Sequence, residues 1–205
     1  MITIGQRVER AIEDINKGAI EFALENICIA LDVTSQRLYS KSCSHRDFYK
    51  RLLKEYSWLI ELIGLPGLNL EESRFGNYPI RANNSPSFQD LIYHIVRCGL
   101  VHDTGVPENF KFVDSHIITL DQNLIELPVQ LIWALLAIVV FCPVNNRELL
   151  TKSLNICICK QSLNINDCWG KVEIVAALYA QHKPIRVTLD IDAGRGYPMQ
   201  FEFKH

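Results

Sequence analysis

Phe88-Gln89-Asp90-Leu91-Ile92-Tyr93-His94-Ile95-Val96-Arg97-Cys98-Gly99-Leu100-Val101-His102-Asp103 is the stretch from which the architecture of this chain is best read. Leu91, Ile92, Ile95, Val96 and Leu100 recur at the spacing of one apolar stripe, which predicts an amphipathic helix with that stripe on a core. Asp90, His94, Arg97 and Val101 follow one another at three- and four-residue steps and so share another face. Ser85-Pro86 reads as an N-cap with proline in the first turn. Gly105 and Pro107 stop the helix soon after His102.

Upstream, Val8, Ala11, Ile12, Ile15, Ala19, Phe22, Ala23, Ile27 and Ala30 keep helical spacing, so residues 6–38 read as one long helix or two in line. Phe48, Leu52, Tyr56, Leu59 and Ile63 mark a second helix, ended by Gly64, Pro66 and Gly67. A polar loop runs from Asn69 to Asn84. Downstream, Phe112–Leu120 and Leu124–Leu127 predict a small hairpin around Asp121-Gln122-Asn123. Residues 128–142 are apolar all round, the mark of a buried helix, and Pro143 closes it. Residues 146–163 fit either a helix or a strand around Ile156 and Ile158. Cys168–His182 reads as helix, and Ile185–Ile191 with Met199–Phe203, joined through Gly194 and Gly196, as a C-terminal β-hairpin. The expected fold is mainly α, a helical bundle with a small β-hairpin after the helix of Arg97 and another at the C-terminus. It forms a single domain over 1–205, a helical core 1–145 with an extension 146–205 packed on it.

Composition narrows the classes of function. With 205 residues, 48% of them hydrophobic, the chain can bury a core without disulfide or metal staples. Lys plus Arg number 21 against 23 Asp plus Glu, a net charge of -2, which argues against a dedicated DNA binder but leaves room for a local basic cleft that holds RNA. The seven cysteines are an odd number, and Met1-Ile2-Thr3-Ile4-Gly5 does not open a secretory signal, so reduced thiols in a cytoplasmic protein are expected. Pro128–Val144 is short for a membrane span, holds Gln130 and lacks a basic flank, so no membrane is expected. Cys142, Cys157, Cys159, Cys168 and His182 lack the paired knuckle spacing of structural zinc, and no metal or cofactor is expected. Lys41, His45, Arg46, Lys50, Arg51 and Lys54 form a basic stretch that reads as a solvated face or as one wall of an RNA cleft. Gly194-Arg195-Gly196 is turn chemistry, since no helix follows it.

Arg97 and His102 are the residues with chemistry to offer. A guanidinium holds a phosphate bidentately and stabilises the charge that grows in a transition state. An imidazole moves the proton of a ribose 2′-hydroxyl near neutral pH. Five residues apart in an ideal helix, they stand about 140° and about 7.5 Å from each other, so convergence requires the helix to loosen near its end, where Gly99 lies. The plainer alternative makes Arg97 a surface ion-pair partner and His102 a helix-terminal residue favoured by the dipole.

Arg97-Cys98-Gly99-Leu100-Val101-His102, an arginine and a histidine separated by four residues at a helix end, resembles the signature of the HEPN superfamily, with similarity over residues 6–145. The resemblance implies a helical bundle and a metal-independent ribonuclease of a defence or toxin-type system. Two subunits would meet at their motif helices, so that Arg97 and His102 of both line one cleft. It implies Arg97 and His102 as catalytic residues, His94, Cys98 and Asp103 as binding residues beside them, and as partners a second copy of the chain, RNA and an antitoxin-like protein. The family usually carries a polar residue after the arginine, where this chain has Cys98, and a thiol donates and accepts poorly. Two functions therefore stand side by side: an RNA-cleaving or RNA-binding effector, and a non-catalytic HEPN-like module that binds a ligand or partner.

Overall fold

The apolar stretch after Pro128 forms a helix over Gln130–Phe141 in which Leu131, Ile132 and every residue from Ala134 to Phe141 are wholly buried. A helix without a polar face has to be enclosed on all sides, and the other elements are laid around it. The computed structural model describes residues 2–39, 44–76, 80, 85–102, 108, 110–115, 117–121, 124–182, 186–191 and 199–202; for Ile95, Val101, His102, 190–191 and 199–202 it describes the backbone alone. More than half of the described residues are helical, joined by small sheets, as the periodicity predicts. No described helix is long and apolar enough to cross a membrane.

Helix α1 (Ile4–Asn16) opens on a capping box of Thr3 and Gln6. It does not continue in line into α2 (Ile20–Leu38). Gly18 takes φ +74°, a conformation open to glycine, and the Ala19 N–H donates back to the Asp14 carbonyl at 2.8 Å. The chain thus reverses and α2 lies on α1, where Arg7 Nη1 donates to Asn26 Oδ1 at 3.3 Å. The next predicted helix is also two, α3 (His45–Glu55) and α4 (Ser57–Ile63), separated by a turn at Tyr56. Gly64 ends α4 against the apolar helix: a Cβ there would stand 2.7 Å from Leu131 Cα.

After β1 (Arg74–Phe75), the helix of Arg97 begins at Ser87 rather than Ser85. Ser87 Oγ accepts from the Asp90 N–H at 3.2 Å and Asp90 Oδ2 accepts from the Ser87 N–H at 3.1 Å, a capping box that the Ser-x-x-Asp spacing provides. Pro86 therefore precedes the cap, and its carbonyl accepts from the Phe75 N–H at 3.0 Å. The helix runs as α5 (Phe88–Leu91), a π-helical stretch over Ile92–Arg97, and α6 (Cys98–His102). Leu91, Ile92 and Val96 are wholly buried, as the apolar stripe predicts. Gly105 and Pro107 lie outside the described residues.

Phe112–Leu120 is not one strand but two, β2 (Phe110–Val113) and β3 (Ile117–Asp121), split at Asp114-Ser115. Strand β4 (Leu124–Pro128) pairs antiparallel with β3, which is the predicted hairpin, and parallel with β2. It leads straight into α7 (Gln130–Phe141). The open stretch 146–163 resolves as a hairpin, β5 (Asn155–Ile158) with β6 (Gln161–Asn164), turned on Cys159 and Lys160 at φ 49° and 64°. Helix α8 (Val172–His182) follows as expected.

Among the described residues, the two strands of the predicted C-terminal hairpin do not pair with each other. Strand β7 (Asp190–Ile191) pairs parallel with β1, and β8 (Met199–Glu202) pairs antiparallel with β3, giving the sheet order β2-β4-β3-β8. An isolated two-stranded hairpin is marginal in water, whereas β3 offers a row of unpaired backbone groups on an existing sheet. Ile185, Phe203 and Gly194-Arg195-Gly196 lie outside the described residues.

Beyond the end of α7, wholly buried Asn145 donates to Thr34 Oγ1 and to the Val139 carbonyl, each at 2.9 Å, and accepts from Arg37 Nη1 at 3.0 Å. Arg37 also pairs with Glu148 at 2.9 Å, and Glu148 Oε2 accepts the Gly5 N–H at the start of α1. One satisfied polar joint thus ties α1, α2 and α7 together.

Two expectations follow for stability. Gly64→Ala should cost about 1–3 kcal/mol, because the new methyl meets backbone rather than a yielding side chain; an unchanged urea midpoint would contradict this contact. Burial works against the Asp90 carboxylate, but the Lys50 ammonium at 2.5 Å and the Ser87 hydroxyl and N–H more than offset it and hold its pKa below the ordinary value. A depressed folded pKa stabilises above the unfolded pKa and is lost as pH falls through the folded one. Asp90→Asn should therefore flatten the loss of stability measured from about pH 5 downward, and an acid limb as steep as wild type would refute that role.

Candidate functional site

The polar groups of the motif helix meet α2 and α3 at the π-helical stretch. The Cys98 N–H donates to the Tyr93 carbonyl, five residues back, so the loosening runs over Ile92–Arg97 and does not fall at Gly99, which is buried in regular α6. π-helical turns of this kind are frequent at functional sites. Arg97 Nη2 donates to Asp32 Oδ2 at 3.2 Å, and its guanidinium lies 5.5 Å from the centre of the Tyr93 ring. Tyr93 meets the ring of wholly buried Tyr49 edge-on at 5.6 Å and that of His94 at 5.1 Å.

The Arg97 and Asp32 side chains are only 14% and 19% exposed, so this is not the open surface pair of the plainer alternative. Burial works against the Arg97 charge, but the hydrogen bond and field of Asp32 outweigh it and hold the guanidinium above its ordinary pKa. Asp32 Oδ1 and the Tyr49 hydroxyl are buried without a hydrogen-bond partner among the described residues. The hydroxyl lies against Cys28, whose thiol burial pushes up to about 12 and keeps neutral. The site therefore holds one partly neutralised cation, two phenols, an imidazole, the buried neutral thiol of Cys28, the thiol of Cys98 and unused acceptor capacity on Asp32.

Of the predicted residues, His94, Arg97 and Cys98 fall at this site, each partly exposed. His102 closes α6 in backbone, while its side chain and the whole of Asp103 lie outside the described residues. Asp90 is spent on the cap and on Lys50, so it is not part of the Arg97 group. Asp32, Tyr49, Tyr93 and Cys28 were not singled out by the sequence reading. A signal for Asp32 exists: it is the one charge in the apolar run Ile27–Val33 of α2. Among the cysteines weighed for zinc, Cys142 and Cys168 are buried while Cys157 is exposed, and no group of three or more metal-ligating side chains occurs among the described residues.

A mainly helical protein with small sheets and a half-buried arginine cluster is thus defined. The chain belongs to the Rv1289 family, whose model matches residues 3–194 and so covers every residue of the site. It is 22% identical over 179 residues to the uncharacterized protein Rv1289 of Mycobacterium tuberculosis, and equally to the uncharacterized protein Mb1320 of Mycobacterium bovis, covering 82% of this chain and 84% of each relative. No solved structure matches.

Asp32 and Arg97 should behave as one unit. Asp32→Asn leaves a half-buried cation without its counter-charge and should destabilise by about 1–3 kcal/mol. A double-mutant cycle with Arg97→Gln should return a coupling of about 0.5–3 kcal/mol. Additive effects of the two changes would mean that the pair is incidental.

Proposed function

We propose that the chain is a HEPN-like effector that acts on RNA, a metal-independent endoribonuclease or RNA binder of a defence or toxin-type system, with its site completed at a homodimer interface. The observation that carries this reading is the position of Arg97: a cation at a π-helical break, aimed by Asp32 and backed by the Tyr93 ring, on the helix that ends at His102. An arginine held in place loses less freedom when it takes a phosphate bidentately. Arg97 would stabilise the charge developing on the scissile phosphate, and His102 would take or give the proton of the 2′-hydroxyl. His94, Cys98 and Asp103 are the binding residues beside them. One motif supplies one arginine, and gripping a phosphate from both sides takes two, which is the reason for proposing the dimer.

The second reading, a non-catalytic HEPN-like module, is favoured by one specific contact. Asp32 at 3.2 Å already neutralises part of the Arg97 charge, and Cys98 stands where a stronger hydrogen-bonding group would serve catalysis.

Cleavage of RNA by purified protein, in excess chelator, tests the first reading. Arg97→Ala and His102→Ala should each lower the rate by about 10²–10⁴, DNA should not be cut because it lacks the 2′-hydroxyl, and Cys98→Asn should raise activity. Inactivity of both wild type and Cys98→Asn on every RNA tried would leave the binding module standing, and an active Arg97→Ala/His102→Ala double variant would place the site elsewhere. Sedimentation at micromolar concentration should give a dimer; a stable monomer would remove the shared cleft.

A further inference from the structure

A cleft of about 510 Å³ lies between α3, α4, α8 and the segment of Arg186. That volume is within the range of small-ligand sites, about 300–1,000 Å³. One end is aromatic. Trp58, half-buried, and Tyr179 meet edge to face at 5.4 Å, and Tyr56 stacks behind Trp58 at 6.4 Å. The lining also carries cations. Exposed Lys54 makes no ion pair or hydrogen bond to the described residues, and Arg186 lines the cleft near Tyr179.

Arg186 is held from beneath by a carboxylate that is costly to place there. Glu61 is wholly buried; its Oε1 accepts from Arg186 Nη2 at 2.9 Å and from the Leu70 N–H at 3.0 Å, and its Oε2 has no partner among the described residues. A buried charge is costly unless paired and hydrogen-bonded; Glu61 meets that need by holding the Leu70 N–H and Arg186 together, and in doing so it fixes where Arg186 stands. Only Nη2 of Arg186 is occupied; Nε and Nη1 make no hydrogen bond to the described residues. The two carboxylates on the lining, Glu55 and Glu71, each lie beside an arginine, Arg51 at 2.8 Å and Arg186 at 3.8 Å, whereas Lys54 has no ion-pair partner among the described residues. Lys54 and Arg186 on the lining suit an anionic group, and the rings of Trp58 and Tyr179 suit a ligand that also has a flat apolar part.

We propose that this cleft binds a nucleotide, with the base stacked on one ring of the Trp58–Tyr179 pair and edge-on to the other, and the phosphate held by Lys54 and Arg186. Every base has a π-face, so stacking tolerates any base and the phosphate contact orients it. The same chemistry suits a free mononucleotide or one residue of a single-stranded RNA laid along α3. It does not depend on Arg97 acting on RNA, since no residue is shared between the two sites.

Titration of the intact protein with adenosine 5′-monophosphate, adenosine, ribose 5-phosphate and a single-stranded RNA decamer, followed by calorimetry, tests the assignment. The monophosphate should bind saturably, with adenosine and ribose 5-phosphate each weaker by about tenfold or more. Trp58→Ala should lower affinity by about 5- to 150-fold. Lys54→Glu, an exposed change that leaves the core untouched, should weaken the monophosphate by about tenfold and leave adenosine unchanged. A decamer that binds more tightly than the monophosphate and is sensitive to Lys54→Glu identifies RNA as the source of the nucleotide; the reverse order identifies the free nucleotide. No saturable binding of either by folded wild type, or binding indifferent to both Lys54→Glu and Trp58→Ala, overturns the proposal.

Discussion

Helix α7 has no side that can face water, and the rest of the fold follows from that. Strand β4 delivers the chain directly into it, and the Val129 N–H donates to the Val113 carbonyl at 3.0 Å just before it begins. Helices α2 and α4 cover it, and Gly64 supplies the close approach that a longer side chain would deny. At its far end the backbone leaves the core at Pro143, where unpaired carbonyls would be costly. Asn145 meets the Val139 carbonyl there and carries the connection outward through Arg37 and Glu148 to α1. An apolar core element and its polar seal are thus one construction.

The Arg97 cluster sits where that packing is interrupted. The motif helix keeps Leu91, Ile92 and Val96 in the core, but its π-helical stretch departs from the α spacing by which Asp90, His94 and Arg97 would line up. The consequence is a division of labour along one helix. Asp90 serves the N-cap and Lys50, while Arg97 turns to Asp32 and Tyr93. Cys28 and Tyr49 beneath them are neutral because burial disfavours their charged forms, so the ion pair is the main charge in a low-dielectric corner.

Helix α3 contributes to two polar regions. Lys50 points to Asp90 at the start of the motif helix, while Arg51 and Lys54 border the aromatic cleft. The basic stretch read as either solvated face or cleft wall is therefore divided between tasks: Lys50 is an internal tie, and Lys54 is an exposed residue at the edge of the cleft. His45 and Arg46 lie in the first turn of α3, and Lys41 falls outside the described residues.

Whatever depends on neighbours three or four residues apart was legible in the sequence. The apolar stripe of the motif helix, the all-round apolarity of 130–141, the stop at Gly64 and the β3–β4 hairpin are local patterns, and local patterns are written in order along the chain. The cap at Ser87 is legible too, through Asp90 three residues on, although Ser85-Pro86 offers a competing helix start. What tertiary structure alone decided is the choice of partners. Strands β7 and β8 look like two halves of a hairpin, yet they pair with β1 and β3, because unpaired edges elsewhere in the folded chain offer more than they offer each other. Asp32 and Arg97 are 65 residues apart and Glu61 and Arg186 are 125 apart. No periodicity links such pairs; only the packing of helices around α7 and the return of the chain after α8 bring them within a hydrogen bond.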